Sequence, residues 1–257
     1  MVRALPVLDS QTPLQSQCHP VVVEAVTQLS SSFGETLHSV YLSGSVARRT
    51  AVLGQSDLNL TLVLNRDLTP AQQAFLSSIQ HHFSKQQKVL TTLSLRIVCL
   101  DEVLSLDAIF TWGFWLKHCC FCLYGDDLAS RFGSFEPSWD IAKSLNGDIA
   151  KQLAETRQKI MATKVLANYL EYCQHIAKKM IWSCYSLVLH REQVLVLSLE
   201  EAATTFLKYY PEKETEIERL FILASRQQVP KKASLYMVNE FGGWIVAEFD
   251  KIERKIG

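Results

Sequence analysis

The residues whose types and spacing indicate chemistry lie in two short segments in the N-terminal part of the chain. In the first, Gly44 and Ser45 end a strand-like run and Arg48 follows them closely. The glycine lets backbone N–H groups approach a phosphate, Ser45 adds a hydroxyl, and the start of a helix favours an anion. In the second, Asp57 and Asn59 open another strand and point to the same face of it. Two carboxylates at that spacing would hold Mg²⁺, which bridges phosphate oxygens; here Asp57 supplies a carboxylate and Asn59 an amide. The two segments together predict a phosphate-handling site.

Each segment also has a plain structural explanation. A strand–helix–strand turn needs a glycine for steric reasons alone, and Arg48 packs on a helix surface as readily as it faces a phosphate. Neither segment is specific by itself. The order, the spacing and the strand context of both segments together favour the phosphate site.

The elements that must position these residues follow from hydrophobic periodicity. Apolar runs and alternation predict strands and helices, with strands over residues 39–43, 57–64 and 93–99, helices over 20–33, 69–83 and 104–121, and a turn at 124–127. In the third strand, Ser94, Arg96 and Val98 share one face. Short strands that alternate with helices predict a small α/β domain with a mixed sheet.

The chain changes character near residue 135. From Trp139 onward helical periodicity dominates and predicts four or five helices. The stretch 163–190 is apolar on almost every face, so we expect it at the centre of a bundle. We therefore predict two domains, residues 1–135 and 136–257. The fold class is α+β, a small α/β domain followed by an all-α helical bundle.

The two site segments together resemble the nucleotidyltransferase superfamily of DNA polymerase β, especially its small bacterial branch with the aminoglycoside nucleotidyltransferases. That family's pattern is Gly-Ser after a hydrophobic residue, a spacer, and then Asp-hydrophobic-Asp or Glu. Here the spacer is residues 46–56. The resemblance implies that Gly44, Ser45 and Arg48 bind the nucleotide. It also implies that Asp57 and Asn59 are the catalytic residues and hold Mg²⁺, with a nucleoside triphosphate as substrate.

The departures from the family pattern bear on activity. Asn59 stands where a second carboxylate is usual, and Arg49 stands where a glycine often follows the Ala-Arg pair. The family usually takes a third acid from a later strand, but the third predicted strand offers Ser94 and Arg96 as site-modifying residues. If Arg96 points into the same pocket, it pairs with Asp57 and takes the electrostatic place of the metal. We therefore predict a degenerate site that keeps a nucleotide or anion pocket.

Two classes of function stay open, and whether the chain is an enzyme is undecided. If active, it transfers a nucleoside monophosphate from a nucleoside triphosphate to an acceptor hydroxyl, with Mg²⁺ as cofactor. If degenerate, it is a nucleotide-binding, regulatory or interaction module of the same fold, with a homodimer as one arrangement. The formal net charge is zero, so a small-molecule or protein acceptor is favoured over polymeric nucleic acid.

The composition excludes further classes. No apolar run approaches the about 18–20 residues of a membrane span, and the N-terminus lacks the pattern of a secretory signal. The seven cysteines are odd in number and irregularly spaced, which favours reduced and buried thiols. The run His118-Cys119-Cys120 has no second ligand pair with which to form a zinc site. These features predict a cytoplasmic protein.

Overall fold

Four strands form the sheet that carries the two site segments. In the computed structural model, which describes residues 5–192 and 195–256, the strands are β1 Leu37–Ser43, β2 Leu58–Leu64, β3 Leu93–Cys99 and β4 Cys120–Gly125. Their order in the sheet is β3-β2-β1-β4. Strand β1 is antiparallel to β2 and to β4, whereas β2 and β3 are parallel. The sheet is therefore mixed, as predicted.

Alternation along the strands divides the side chains between two apolar cores. The leucines of β2 face one core, which they share with helices α1 (Cys18–Phe33) and α3 (Pro70–Gln86). Tyr41 and Val63 face the other core and pack with Leu116. Burial of each large apolar side chain contributes about 1.5–3 kcal/mol, and a one-residue slip would move the whole set to the wrong face. This cost fixes the register that positions the site.

Helix α3 of the first unit has a clear local cause. Helix α3 begins after Thr69, whose hydroxyl accepts the N–H of Gln72 while the Gln72 side chain accepts the N–H of Thr69. This capping box fixes the predicted helix start. Helix α1 begins at Cys18, slightly before the predicted start at Pro20. A single short turn, α2 (Gly44–Ala47), follows β1.

The segment between β3 and residue 125 differs from its prediction. Instead of one helix over residues 104–121, the chain forms α4 (Leu100–Val103), then several short irregular turns, and then strand β4. The sequence of β4 is apolar without alternation, so its periodicity does not distinguish a strand from a helix. Pairing with β1 decides the outcome, helped by the Tyr41 hydroxyl, which accepts the N–H of Leu128 at 2.7 Å.

The described residues from Glu136 onward form a second compact unit, distinct from the one that ends at Phe135. Its helices are α5 Trp139–Asn146, α6 Ile149–Ala162, α7 Leu166–Leu189, α8 Leu199–Leu207, α9 Glu214–Ala224, α10 Lys231–Tyr236 and α11 Gly242–Ile256. Helix α7 is buried along most of its length and packs against five of the others, which confirms the predicted central helix. Across the described parts of the chain, none of the helices has the length and apolar character of a membrane span.

The cysteines are all free thiols. Burial raises the pKa of Cys119 to about 12, so this thiol stays protonated at neutral pH. Within residues 5–192 and 195–256, no group of three or more His, Cys, Asp or Glu side chains is arranged to hold a metal ion. The run His118-Cys119-Cys120 is buried in the packed interior.

His118 makes the stability of the first unit depend on pH. Its ring is buried against Phe114 and Phe135, and Nδ1–H donates to the carbonyl of Pro6 at 2.8 Å. Burial lowers the pKa of His118 below its ordinary value of 6.5. As the pH falls through that value, the unfolded chain binds the proton first, and the free energy of unfolding declines.

We expect His118→Phe to reduce this decline, because phenylalanine fills the aromatic site and takes up no proton. The measurement is urea unfolding at several pH values between about 7.5 and 5, with the change relative to pH 7.5 compared between variants. His82→Gln, at an exposed position of α3, is the control and should follow the native profile. A His118→Phe profile that parallels the native one would contradict the assignment.

Candidate functional site

The turn at the end of β1 is held in a conformation that needs glycine. Gly44 has φ +77°, in the left-handed region that L side chains rarely adopt. A Cβ atom placed on Gly44 would lie 2.8 Å from Nδ2 of Asn59. The turn predicted from Gly44 and Ser45 and the strand predicted from Asp57 and Asn59 therefore meet at van der Waals distance.

The strand register explains why they meet. Ser43 pairs with Asn59 across β1 and β2, and Asn59 pairs with Ser94 across β2 and β3. Paired residues share a face of the sheet, so these three side chains form a row directly beside the Gly44 turn. The Ser43 hydroxyl donates to the carbonyl of Asn59, and Nδ2 of Asn59 donates to the carbonyl of Asp57, both at 3.4 Å.

Asp57 lies just before β2 and is held by two hydroxyl groups. Thr91 and Thr92 both donate to its Oδ1, at 2.5 and 2.6 Å. Hydrogen bonds to a charged acceptor are among the stronger ones, so this clamp sets the orientation of the carboxylate. These threonines have no sequence signature, because they lie in an irregular segment before β3. One signal could have indicated their position: if β3 is parallel to β2, the start of β3 lies at the same edge of the sheet as Asp57.

Arg96 contacts an aromatic ring rather than an acid. Its guanidinium lies 4.0 Å from the ring centre of Trp115, and Trp115 Nε1–H donates to the Thr61 hydroxyl at 3.0 Å. Among the described residues, Arg96 forms no ion pair with Asp57, so the hypothesis that these two side chains pair is wrong. The register places Arg96 opposite Thr61, one step along β2 from Asn59.

Arg49 occupies the position at which the family often has glycine. Its φ is +61°, in the left-handed region. The guanidinium compensates for the strained backbone, because Nη1 donates to the carbonyl of Ala47 at 2.7 Å and Nη2 donates to the carbonyl of Thr12. Arg48, the residue before it, lies close enough to Cys119 for its charge to act on that thiol, as does that of Arg96. Two arginines therefore share the neighbourhood of this thiol.

These side chains make only a weak site for a resident Mg²⁺ ion. Magnesium is normally held by one or two carboxylates together with substrate phosphates. Here Oδ1 of Asp57 already accepts two hydroxyls, and Asn59 turns its amide nitrogen toward the glycine. Asp101 and Glu102 follow the far end of β3, because the parallel register pairs Leu93 with the start of β2. The donor set near Gly44 is thus one carboxylate with hydroxyls and an amide.

Two open grooves lie in the helical unit and contain none of the predicted site residues. One, of about 640 Å³, is lined by α9 and α10, and the other, of about 470 Å³, lies at the start of α7. Both include Val229 and Pro230. Their size is that of small-molecule clefts, and their lining is mainly apolar with lysine and arginine at the edges.

The fold of the chain is similar to that of a solved structure. No protein-family model and no curated protein sequence matches the chain. The chain is similar to the crystal structure of spectinomycin adenyltransferase AAD(9) from Enterococcus faecialis with ATP and spectinomycin, with a TM-score of 0.61 and 12% identity. The match covers 90% of this chain and 99% of that one. The chain therefore has the α+β fold of a nucleotidyltransferase followed by a helical region.

The contact between Gly44 and Asn59 gives a stability test of the site geometry. We expect Gly44→Ala to cost about 1–2 kcal/mol from backbone strain and to displace the Asn59 side chain. Gly54→Ala is the matched control, since Gly54 has φ +72° but its added Cβ would meet only a backbone oxygen at 3.7 Å. Urea unfolding of both variants measures the difference.

The same test includes a double-mutant cycle. In an Asn59→Ala background the cost of Gly44→Ala should fall by about 0.5–1 kcal/mol, because the obstructing side chain is gone. An unchanged cost would show that the two residues do not interact.

Proposed function

We propose that this chain is a nucleotide-binding protein that keeps the nucleotidyltransferase fold and has lost metal-dependent transfer. The observation that carries the proposal is the row beside the Gly44 turn. It contains Ser43, Asn59 and Ser94, with Asp57 as the carboxylate next to it. A phosphate can lie at such a turn without a metal, because backbone N–H groups and hydroxyls are donors.

In this proposal each of the predicted nucleotide-binding residues has a defined role. Gly44 and Ser45 hold the nucleotide phosphates, and Arg48 supplies positive charge close by. The ligand is a nucleoside triphosphate or its diphosphate product, as the ATP in the structure of the similar adenyltransferase suggests. Residues 1–135 form the nucleotide-binding domain, and residues 136–257 provide the surface for a small molecule or a protein partner. The protein acts in the cytoplasm.

An active transferase is the second candidate, and Asp57 favours it. The chain has this carboxylate just before β2, and the similar structure holds both ATP and an acceptor, spectinomycin. In that case an acceptor hydroxyl attacks the α-phosphate of a nucleoside triphosphate and pyrophosphate leaves. No side chain in the row beside Gly44 is a general base, and the donor set offers Mg²⁺ a single carboxylate, which is why the binding function is preferred.

Thermal unfolding with nucleotide separates the two candidates. A ligand that binds only the folded chain stabilises it by about 2.7 kcal/mol at one hundred times its Kd. We expect ATP to raise the unfolding midpoint in EDTA and Mg²⁺ to add nothing further. Stabilisation that requires Mg²⁺, together with release of pyrophosphate, would instead establish the transferase. No response under either condition would overturn both.

Asn59→Asp tests the same point from the opposite direction. It restores a second carboxylate beside Asp57, so we expect this variant, unlike the native chain, to be stabilised further by Mg²⁺ with ATP. Asn59→Ala is the control for loss of the amide alone. If Mg²⁺ with ATP does not stabilise Asn59→Asp further, the absence of a second carboxylate is not the reason that the native chain does not respond to Mg²⁺.

A further inference from the structure

Arg96 is the side chain that the proposed nucleotide site does not yet account for. The parallel register sets Arg96 opposite Thr61 and Ser94 opposite Asn59. The arginine therefore stands on the sheet face that carries the row beside Gly44. Along the strand it is one register step away, a distance of about 7 Å.

An aromatic ring fixes where the guanidinium lies. Trp115 donates its Nε1–H to Thr61 at 3.0 Å, and Thr61 is completely buried in β2. Arg96 stacks on that ring at 4.0 Å from its centre. Because the ring is tied to β2, the stack draws the guanidinium from β3 toward the middle of the sheet, which is the side on which the Gly44 turn lies.

The stack leaves the donors of Arg96 available. A guanidinium that lies over a ring uses its face, whereas its five N–H groups point outward from its edge. Within the described residues, Arg96 has no hydrogen bond and no ion pair, and the residue is exposed. An arginine stays charged in proteins.

Among residues 5–192 and 195–256, no carboxylate forms an ion pair with this cation. The titratable groups that act on it are the thiols of Cys119 and Cys120. Both thiols are buried, and burial raises the pKa of each far above neutral, so they stay uncharged. A fixed guanidinium with free edges beside uncharged thiols has the properties of a site for an anion with several oxygens.

We propose that Arg96, held in place by Trp115, is the cation that binds the phosphates of a nucleoside di- or triphosphate in this protein. The inference rests on the proposed nucleotide-binding function and names the residue that supplies the charge a metal would otherwise supply. Strands β1 and β3 lie on either side of β2, about 10 Å apart. A chain of linked phosphates spans the gap between the Gly44 turn and the guanidinium better than one phosphate does.

The test is titration calorimetry with ATP and ADP in EDTA. Arg96→Gln should weaken binding at least tenfold, and Arg96→Lys should lose less because the charge remains. Inorganic triphosphate should compete with ATP on the native chain and compete poorly on Arg96→Gln. Lys85→Gln is the matched control, since it removes one positive charge from an exposed position of α3, which packs on the opposite face of the sheet.

Salt dependence separates a binding role from a structural one. The affinity of the native chain should fall as salt rises, because exposed charges are screened, and Arg96→Gln should show a weaker dependence. Thr61→Val removes the hydroxyl that anchors Trp115 and leaves the Arg96 side chain itself unchanged, so it should weaken binding by a smaller factor.

Each outcome decides a different point. If the native chain binds ATP in EDTA and Arg96→Gln binds equally well with the same salt dependence, the assignment of Arg96 is wrong and the proposed function stands. If the native chain binds neither nucleotide, both are overturned. Unfolding midpoints without ligand show that each variant is folded before its affinity is compared.

Discussion

The register between β1, β2 and β3 is the constraint on which the rest of the site depends. Two apolar cores, one on each face of the sheet, hold the strands, because a slip of one residue would move the leucines of β2 out of their own core and place its polar residues there. With the register fixed, Ser43, Asn59 and Ser94 lie in one row. The left-handed Gly44 turn then lies against Asn59, close enough that no other residue fits there without displacing the amide.

The chemistry of that row follows from charge. A carboxylate cluster attracts a divalent cation, which in turn attracts phosphate. Here two hydroxyl groups hold Asp57, and the guanidinium of Arg96, on the neighbouring strand β3, stacks on the ring of Trp115. A fixed guanidinium attracts phosphate directly and has no need of an intermediate ion. In the proposed function, the guanidinium of Arg96 takes the place of the metal in binding phosphate.

The sequence predicted the parts of this structure that depend on local pattern. The alternation of β2 and β3 predicted which residues share a face, and Thr69 predicted the start of α3. Strand β4 was missed, because a continuous apolar run has no period that distinguishes a strand from a helix.

The Asp57 clamp and the Arg96 stack were missed for another reason. Their partners, Thr91, Thr92 and Trp115, lie in irregular segments and come close only through the fold. The proximity of Arg96 to Asp57 was inferred from the shared face alone, and the aromatic ring redirected the side chain.

The central claim is that phosphate binding at the Gly44 turn does not depend on a metal. It is tested most directly by the affinity of the native chain for ATP, measured by titration calorimetry once in EDTA and once in Mg²⁺. The account predicts binding in EDTA, with an affinity that Mg²⁺ does not improve. Binding seen only with Mg²⁺ would contradict it, because one clamped carboxylate and an amide would then be holding a metal after all.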